Sequence, residues 1–418
     1  MTRERKSWIP ELDGLRALMV FVVSAYHIWQ QSWLTPAPFG YSLDPLLRSG
    51  YTWVDGTVLL SGFLLFLPFA KARRAGGPLP DTAGFYFRRA RKILPGYYFI
   101  LALVFFAVAL PWRLYDSPQF MVKDLATHLT FTFSFFFDTY QMTPLGTACW
   151  TLAIEVQAYL LFPFLARAAL RRPRTTAGVL LGLCFGFRLW CIWSLSDFNM
   201  VVNQLINMLD LYVLGALAAW VFTDLEERRA AESLPRGSAA LATALFLAAF
   251  AGLMAMLRVM AASSVYSMHE GFAGWVGDLL GMARPANGYP VIQRNQMLYR
   301  PVFGLLFGAL ILSAPFSLRP LRKLLGNPVS RFLADISLNY YLIHQTVIVH
   351  MRRLGFPPSA SLFPNQAGEQ PWQTQYTLLA YALSFALAVV ITWAVEKPIQ
   401  RLLDRRRATS AAADAQRV

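Results

Sequence analysis

Ten apolar stretches of membrane-spanning length constrain this chain more than any other feature: 12–34, 51–70, 94–112, 149–166, 176–195, 203–222, 239–260, 297–315, 331–351 and 375–395. In a hydrocarbon core each backbone N–H and C=O must be satisfied within its own segment, and about 20 apolar residues of helix suffice to cross. The sequence therefore predicts an all-α, polytopic transmembrane bundle of about ten spanning helices. Of the 418 residues, 56% are hydrophobic and only 15% charged, which excludes a soluble enzyme of two or three domains. The first stretch is too long and too rich in bulky aromatics for a cleaved signal peptide, and is expected to remain as a helix. Cys149, Cys184 and Cys191 lack metal-ligand spacing and are expected to be small core residues rather than disulfide partners.

The formal charge of +15 suggests nucleic acid at first sight, but its distribution argues against that. With a cytoplasmic N-terminus, alternate loops carry Arg3, Arg5 and Lys6, then 71–92, 167–174, 228–236, 319–331 and the tail from Lys397. About 27 Lys and Arg fall on those loops and about 8 on the opposite ones, a strong positive-inside bias. The reading is an integral membrane protein with both termini cytoplasmic and no nucleic-acid partner. Residues 1–398 form its transmembrane domain and 399–418 a basic, disordered tail. The aromatic stretch 125–140 would disturb the charge alternation as an eleventh span, so it is expected to be re-entrant or interfacial, with His128 at an interface.

Inside the first span lie Arg16 and His27, ionisable groups that are costly in lipid and face protein or water. Eleven residues amount to three helical turns and roughly 20° of drift, placing both on one face about 16 Å apart. His27 then sits about 10 Å below the outer surface. Asp55, Glu155, Arg188, Asp210 and His344 fall at similar depths on five other helices. A structural ion pair between Arg188 and Asp210 is one reading of two of them. The shared depth of all six favours a polar cavity open to the outside. On the inner side, Arg88, Arg89, Arg91 and Lys92 cluster ahead of the third span, either as a positive-inside anchor or as a phosphate-binding group. Ser61 and Gly62 in the second span allow close helix approach or a narrow passage.

These landmarks, in this order, resemble the acyltransferase type 3 family. The matching pieces are Leu12-Asp13-Gly14-Leu15-Arg16 followed by His27, and Asp55 followed by Ser61-Gly62-Phe63. Further along come Arg88 to Pro95, Trp150 to Glu155, Ser337 to His344, and Glu396-Lys397-Pro398. The set runs over essentially the whole chain. Thr151 stands where the family has Ser and keeps the hydroxyl; Lys92 stands where Arg is expected, offering a point charge rather than a planar fork.

The resemblance implies an integral membrane O-acyltransferase using acetyl-CoA or another acyl-CoA as co-substrate, with no metal. Its acceptor would be a hydroxyl of a carbohydrate, glycolipid or small molecule at the outer face of the bilayer. Arg16, Arg88, Arg89, Arg91 and Lys92 would bind the cofactor. His27 would act as general base or as transient acyl carrier, two routes the sequence leaves open. Glu155 would orient its imidazole, and Asp55, Asp210 and His344 would contact the acceptor. The rival from another class is a transporter or flippase for a polar or lipid-linked substrate. Carriers also place charges around a midplane cavity, but the chain shows neither an inverted repeat nor matched broken helices.

Overall fold

The computed structural model describes residues 8–146, 149–265 and 289–415, and within them every regular element is helical. The helices in chain order are α1 (Pro10–Ser32), α2 (Asp44–Arg48), α3 (Trp53–Arg74), α4 (Thr82–Val104), α5 (Pro118–Leu129), α6 (Phe137–Gln141), α7 (Trp150–Arg171) and α8 (Pro173–Ser194). They continue as α9 (Leu209–Ala230), α10 (Ser238–Val265), α11 (Tyr289–Ser313), α12 (Arg319–Leu325), α13 (Pro328–Arg353), α14 (Trp372–Val390) and α15 (Lys397–Ala415). Local chemistry sets several starts. Proline occupies the first helical position of α1, α5, α8 and α13, where its missing N–H costs nothing. Asp81 caps α4 by accepting from the N–H groups of Ala83 and Gly84, and Ser117 caps α5 through Phe120 N.

Among the described residues nine helical stretches are long and apolar enough to cross a membrane, in line with the polytopic bundle. The expected span 331–351 is present as the 26-residue α13, but hydropathy alone passes it over. Arg331, Asp335, Asn339, His344 and His350 interrupt its apolar face, and Asn339 and His344 are buried in protein.

The chain divides into two compact units, 1–80 with 150–334 and 81–149 with 335–418. In the first unit α3 is the central helix: α9 runs along it, and α1, α7 and α11 pack on it as well. Small residues make the α3–α9 approach possible. A Cβ at Gly215 would lie 2.5 Å from Leu59 O and 2.7 Å from Phe63 N, and one at Gly62 would lie 3.1 Å from Tyr212 Cα. The Ser61-Gly62 pair thus serves close packing. Gly215→Val is expected to lower stability by about 1–3 kcal/mol through overpacking. A thermal melt in detergent that matched the native protein would show the helices free to move apart.

At the other end of this pair, Arg74 bridges Asp224 and Glu227 at 3.1 and 2.6 Å, and Lys71 meets Glu226 at 2.7 Å. Gly14 of the first motif has a similar steric role. Its Cβ would meet Leu325 O at 2.3 Å, where α12 crosses α1, and Glu11 pairs with Arg322 at 2.7 Å in the same contact.

In the second unit α4 packs on a continuous rod, to which α13 is tied by Asn339 with Thr392 and Glu396 and by Asp335 with Lys397. A π turn at Ile391–Glu396 carries α14 into α15 without a break. The residues from 399 onward, expected to be disordered, are helical through Ala415. Arg91 pairs with Asp404, and the Arg407 guanidinium lies 4.4 Å from the Phe87 ring centre, so the tail has partners on α4.

The segment expected to be re-entrant or interfacial is broken into short helices, of which the longest, α5, has 12 residues and cannot span. Its centre is Asp124, fully buried, which accepts from Tyr115 Oη at 2.9 Å and Thr143 Oγ1 at 2.8 Å. His128 lies one turn on, 3.1 Å from the same carboxylate and stacked on Phe133 at 4.2 Å. It is therefore buried rather than interfacial, because a carboxylate at i−4 and an aromatic face give it a protein environment. Nearer the surface Lys123 and Asp138 pair at 2.6 Å, and the ammonium holds the Asp138 carboxyl below the usual carboxylate range.

Candidate functional site

The helix α1 carries the two residues that first drew notice, and their surroundings differ sharply. Arg16 is half-buried and has no hydrogen-bond or ion-pair partner among the described residues. The nearby acids are engaged elsewhere: Glu11 with Arg322, and Asp13 accepting from Trp8 Nε1 at 2.8 Å. His27 is also half-buried, with Nδ1 2.9 Å from Gln30 Oε1, and Gln30 Nε2 donates to Tyr26 Oη at 2.8 Å. With the amide oriented by that donation, Oε1 accepts from His27 Nδ1–H, and the lone pair is left on Nε2. The residues 26, 27 and 30 share a helix face, so this chain is built from local sequence.

Glu155 on α7, expected to orient the imidazole, accepts from Tyr159 Oη at 2.8 Å, a partner one turn along its own helix. At Nδ1 the orienting group is Gln30.

Asp55 and Asp210 are brought together, though not as the wall of an opening. Arg300 Nε lies 3.1 Å from Asp55, and Arg188 Nη2 lies 3.0 Å from Asp210. Asn207 ties the two pairs: its carbonyl accepts from Arg188 at 2.8 Å and Arg300 at 3.1 Å, and its side-chain oxygen accepts from Arg188 Nε at 2.8 Å. Asp55, Arg188 and Asp210 are 0, 3 and 1% exposed. Cys184, read as a small core residue, also joins in, accepting from Arg188 at 3.3 Å. The expected open cavity is, for these three charges, a closed ionic network, because opposite charges in apolar surroundings are stabilised by pairing and hydrogen bonding. Asp55 Oδ2 alone of the two carboxylates' oxygens makes no hydrogen bond among the described residues.

Arg300 was the omission in the sequence reading. It lies three residues into an apolar stretch, and the rule that singled out Arg188 applies to it equally.

The remaining candidates belong to the second unit. Lys92 Nζ lies 2.6 Å from Glu396, whose other oxygen accepts from Asn339 Nδ2 at 2.5 Å. Three pieces far apart in sequence, at 92, 339 and 396, thus converge on one buried carboxylate. Gly96 completes the arrangement, since a Cβ there would meet Asn339 Oδ1 at 2.3 Å. Arg91 is committed to Asp404. Arg88 is exposed, and the Arg89 guanidinium lies 5.9 Å from the Phe85 ring centre. His344 is fully buried; its Nδ1 donates to Tyr341 O at 2.6 Å and its ring lies parallel to Tyr340. Among the described residues no group of three or more His, Cys, Asp or Glu is placed to hold a metal ion.

The sequence profile described as "Acyltransferase domain" matches residues 9–397. The chain belongs to that acyltransferase family. Relatives of the chain include the peptidoglycan O-acetyltransferase OatA of Listeria monocytogenes, 25% identical over 204 residues. That alignment covers 45% of this chain and 29% of the relative. The O-acetyltransferase OatA of Staphylococcus aureus is 26% identical over 180 residues, covering 40% of this chain and 26% of its own. A putative O-acetyltransferase of S. aureus is 28% identical over 169 residues, covering 38% and 25%. The alignments span under a third of the length of these relatives. No solved structure matches it.

Proposed function

We propose that this membrane acyltransferase moves an acyl group, most simply acetyl, from a coenzyme A thioester to a hydroxyl at the outer face of the membrane, with His27 as general base. The observation that carries the reading is on α1, which presents Arg16, a cation with no acidic partner among the described residues, and a histidine whose Nδ1 is fixed by Gln30, on one helical face. A cation without a carboxylate inside a spanning helix calls for an anionic ligand. A histidine with an oriented lone pair is suited to taking a hydroxyl proton.

The residues fit a phosphate-rich co-substrate in part. Arg16 is uncompensated, and Arg88 and Arg89 present guanidinium forks. Arg91 and Lys92 have their charge balanced by Asp404 and Glu396, so their role in this reading is to hold the turn that carries Arg88 and Arg89. An acyl-coenzyme A bound there would supply the activated thioester carbonyl, with the coenzyme A thiolate as leaving group. His27 Nε2 takes the acceptor proton, Gln30 steadies the imidazolium through Nδ1–H, and Glu155 adds negative charge from the same unit. The acceptor is a carbohydrate, glycolipid or small-molecule hydroxyl, and the name of the Listeria relative makes peptidoglycan the first to try. In this reading both termini lie in the cytoplasm, the orientation that the positive-inside bias favours.

Purified protein in lipid is expected to release free thiol from acetyl-CoA when given an acceptor. Accumulation of substrate inside vesicles with the thioester intact would instead establish a carrier. Gln30 supplies a sharper check. A hydrogen bond to a charged group is worth about 1.5–3 kcal/mol, so Gln30→Leu is expected to slow turnover roughly 10- to 100-fold. Gln30→Glu, which can accept the same N–H, is expected to restore much of it. Equal rates in all three proteins would remove Gln30 from the mechanism.

A further inference from the structure

The C-terminal ends of α3 and α7 flank a half-open pocket of about 460 Å³ within the first unit that the reaction above does not use. Its charged lining is entirely cationic: Arg73 at the end of α3, and Arg167 and Arg171 at the end of α7. Leu79 and Leu170 supply apolar wall, and the Gly76 turn leaves open space where a Cβ would sit.

Two features separate this group from an ordinary basic anchor. First, the local acids are already taken. Asp224, Glu226 and Glu227 pair with Lys71 and Arg74, while Arg73 and Arg171 are exposed and have no ion-pair partner among the described residues. Second, Arg167 is held in place: its two terminal nitrogens donate to Pro163 O and Pro80 O, each at 3.0 Å. Favourable placement at helix C-termini explains why cations occur here. It does not explain why three converge on a concavity of ligand size whose lining holds no acidic residue.

The geometry points to a binding site for a phosphate group carried by a larger ligand, with Arg73 and Arg171 closing on it and Arg167 as the fixed element. A guanidinium trio matches phosphate oxygens in charge and in hydrogen-bond geometry. The same chemistry is offered by an anionic lipid headgroup and by the phosphorylated end of a soluble nucleotide. The inference stands apart from the assignment of Arg88 and Arg89.

The test uses the full chain purified in detergent and two probes. One is adenosine 3′,5′-bisphosphate, followed by its binding isotherm. The other is phosphatidylglycerol offered against phosphatidylcholine, with bound lipid counted by native mass spectrometry. The native protein is compared with Arg73→Gln/Arg171→Gln, whose exposed positions should leave the melting curve unchanged, and with Arg88→Gln/Arg89→Gln. Loss of two charge-assisted contacts is expected to weaken one probe by about tenfold or more in the Arg73/Arg171 variant. Loss of bisphosphate binding identifies a nucleotide end; loss of retained phosphatidylglycerol identifies a lipid headgroup. The inference is overturned if native protein and Arg73/Arg171 variant bind both probes alike, if the loss is confined to the Arg88/Arg89 variant, or if the native protein binds neither. A loss confined to Arg88 and Arg89 would leave the coenzyme A reading standing while removing the pocket.

Discussion

His27→Ala should lower acceptor-dependent release of thiol from acetyl-CoA by about 10²- to 10⁴-fold, the range spanned by general acid–base catalysis. The substitution removes the Nε2 lone pair and leaves Arg16, eleven residues away, untouched. Affinity for the donor should therefore persist while turnover collapses, a split that separates chemistry from binding. His27 is half-buried and its hydrogen bond runs to Gln30 on its own helix, so the fold should survive the change. Turnover equal to that of the native protein would take His27 out of the reaction. The same preparation distinguishes the two roles of the imidazole. If His27 carries the acyl group, mixing enzyme and donor without acceptor releases about one equivalent of thiol in a burst. If it acts only as a base, no burst appears.

The second large effect concerns stability. Asp55→Asn and Arg300→Met each leave one charge of the buried network without its partner, and each should destabilise the protein by about 3–5 kcal/mol. The combined variant should cost clearly less than the sum, because it removes both charges together and leaves neither without its counter-charge. Asn207 and Arg188 share the network, so the coupling will extend to Asp210. Unfolding in detergent, monitored for all four proteins, gives the cycle. The alternative for Asp55 is equally readable. An acceptor contact, made through the unbonded Oδ2, predicts an Asp55→Asn protein of native stability with a raised KM for the acceptor. That outcome would return Asp55 to the substrate set.

Much of the fold was legible because lipid allows so few solutions. A stretch of about 20 apolar residues that must satisfy its own backbone has to be helical wherever it lies. The expected spans reappear as helices, including α13, whose polar residues lower its hydropathy. The tail beyond 398 was misjudged because composition cannot show that Asp404 and Arg407 meet residues of α4. The same limit applied to His128: an aromatic, membrane-length segment suggests an interface, whereas the buried Asp124 carboxylate decided its place.

The candidate site was legible in part, and the division follows the range of the interactions. Arg16, His27 and Gln30 are related by helical repeat alone, so their shared face follows from the linear order of residues. Partners distant in sequence were another matter. Arg300 with Asp55, Arg188 with Asp210, and Lys92 with Glu396 are pairings that depth suggests and only packing assigns. The linear sequence by itself determined an all-helical membrane chain, its family and the composition of its first helix. Tertiary structure alone decided which charges are neutralised and which stay uncompensated. A buried charge is tolerated when a counter-charge lies within a few ångströms, and that distance is a property of how helices cross rather than of any one helix.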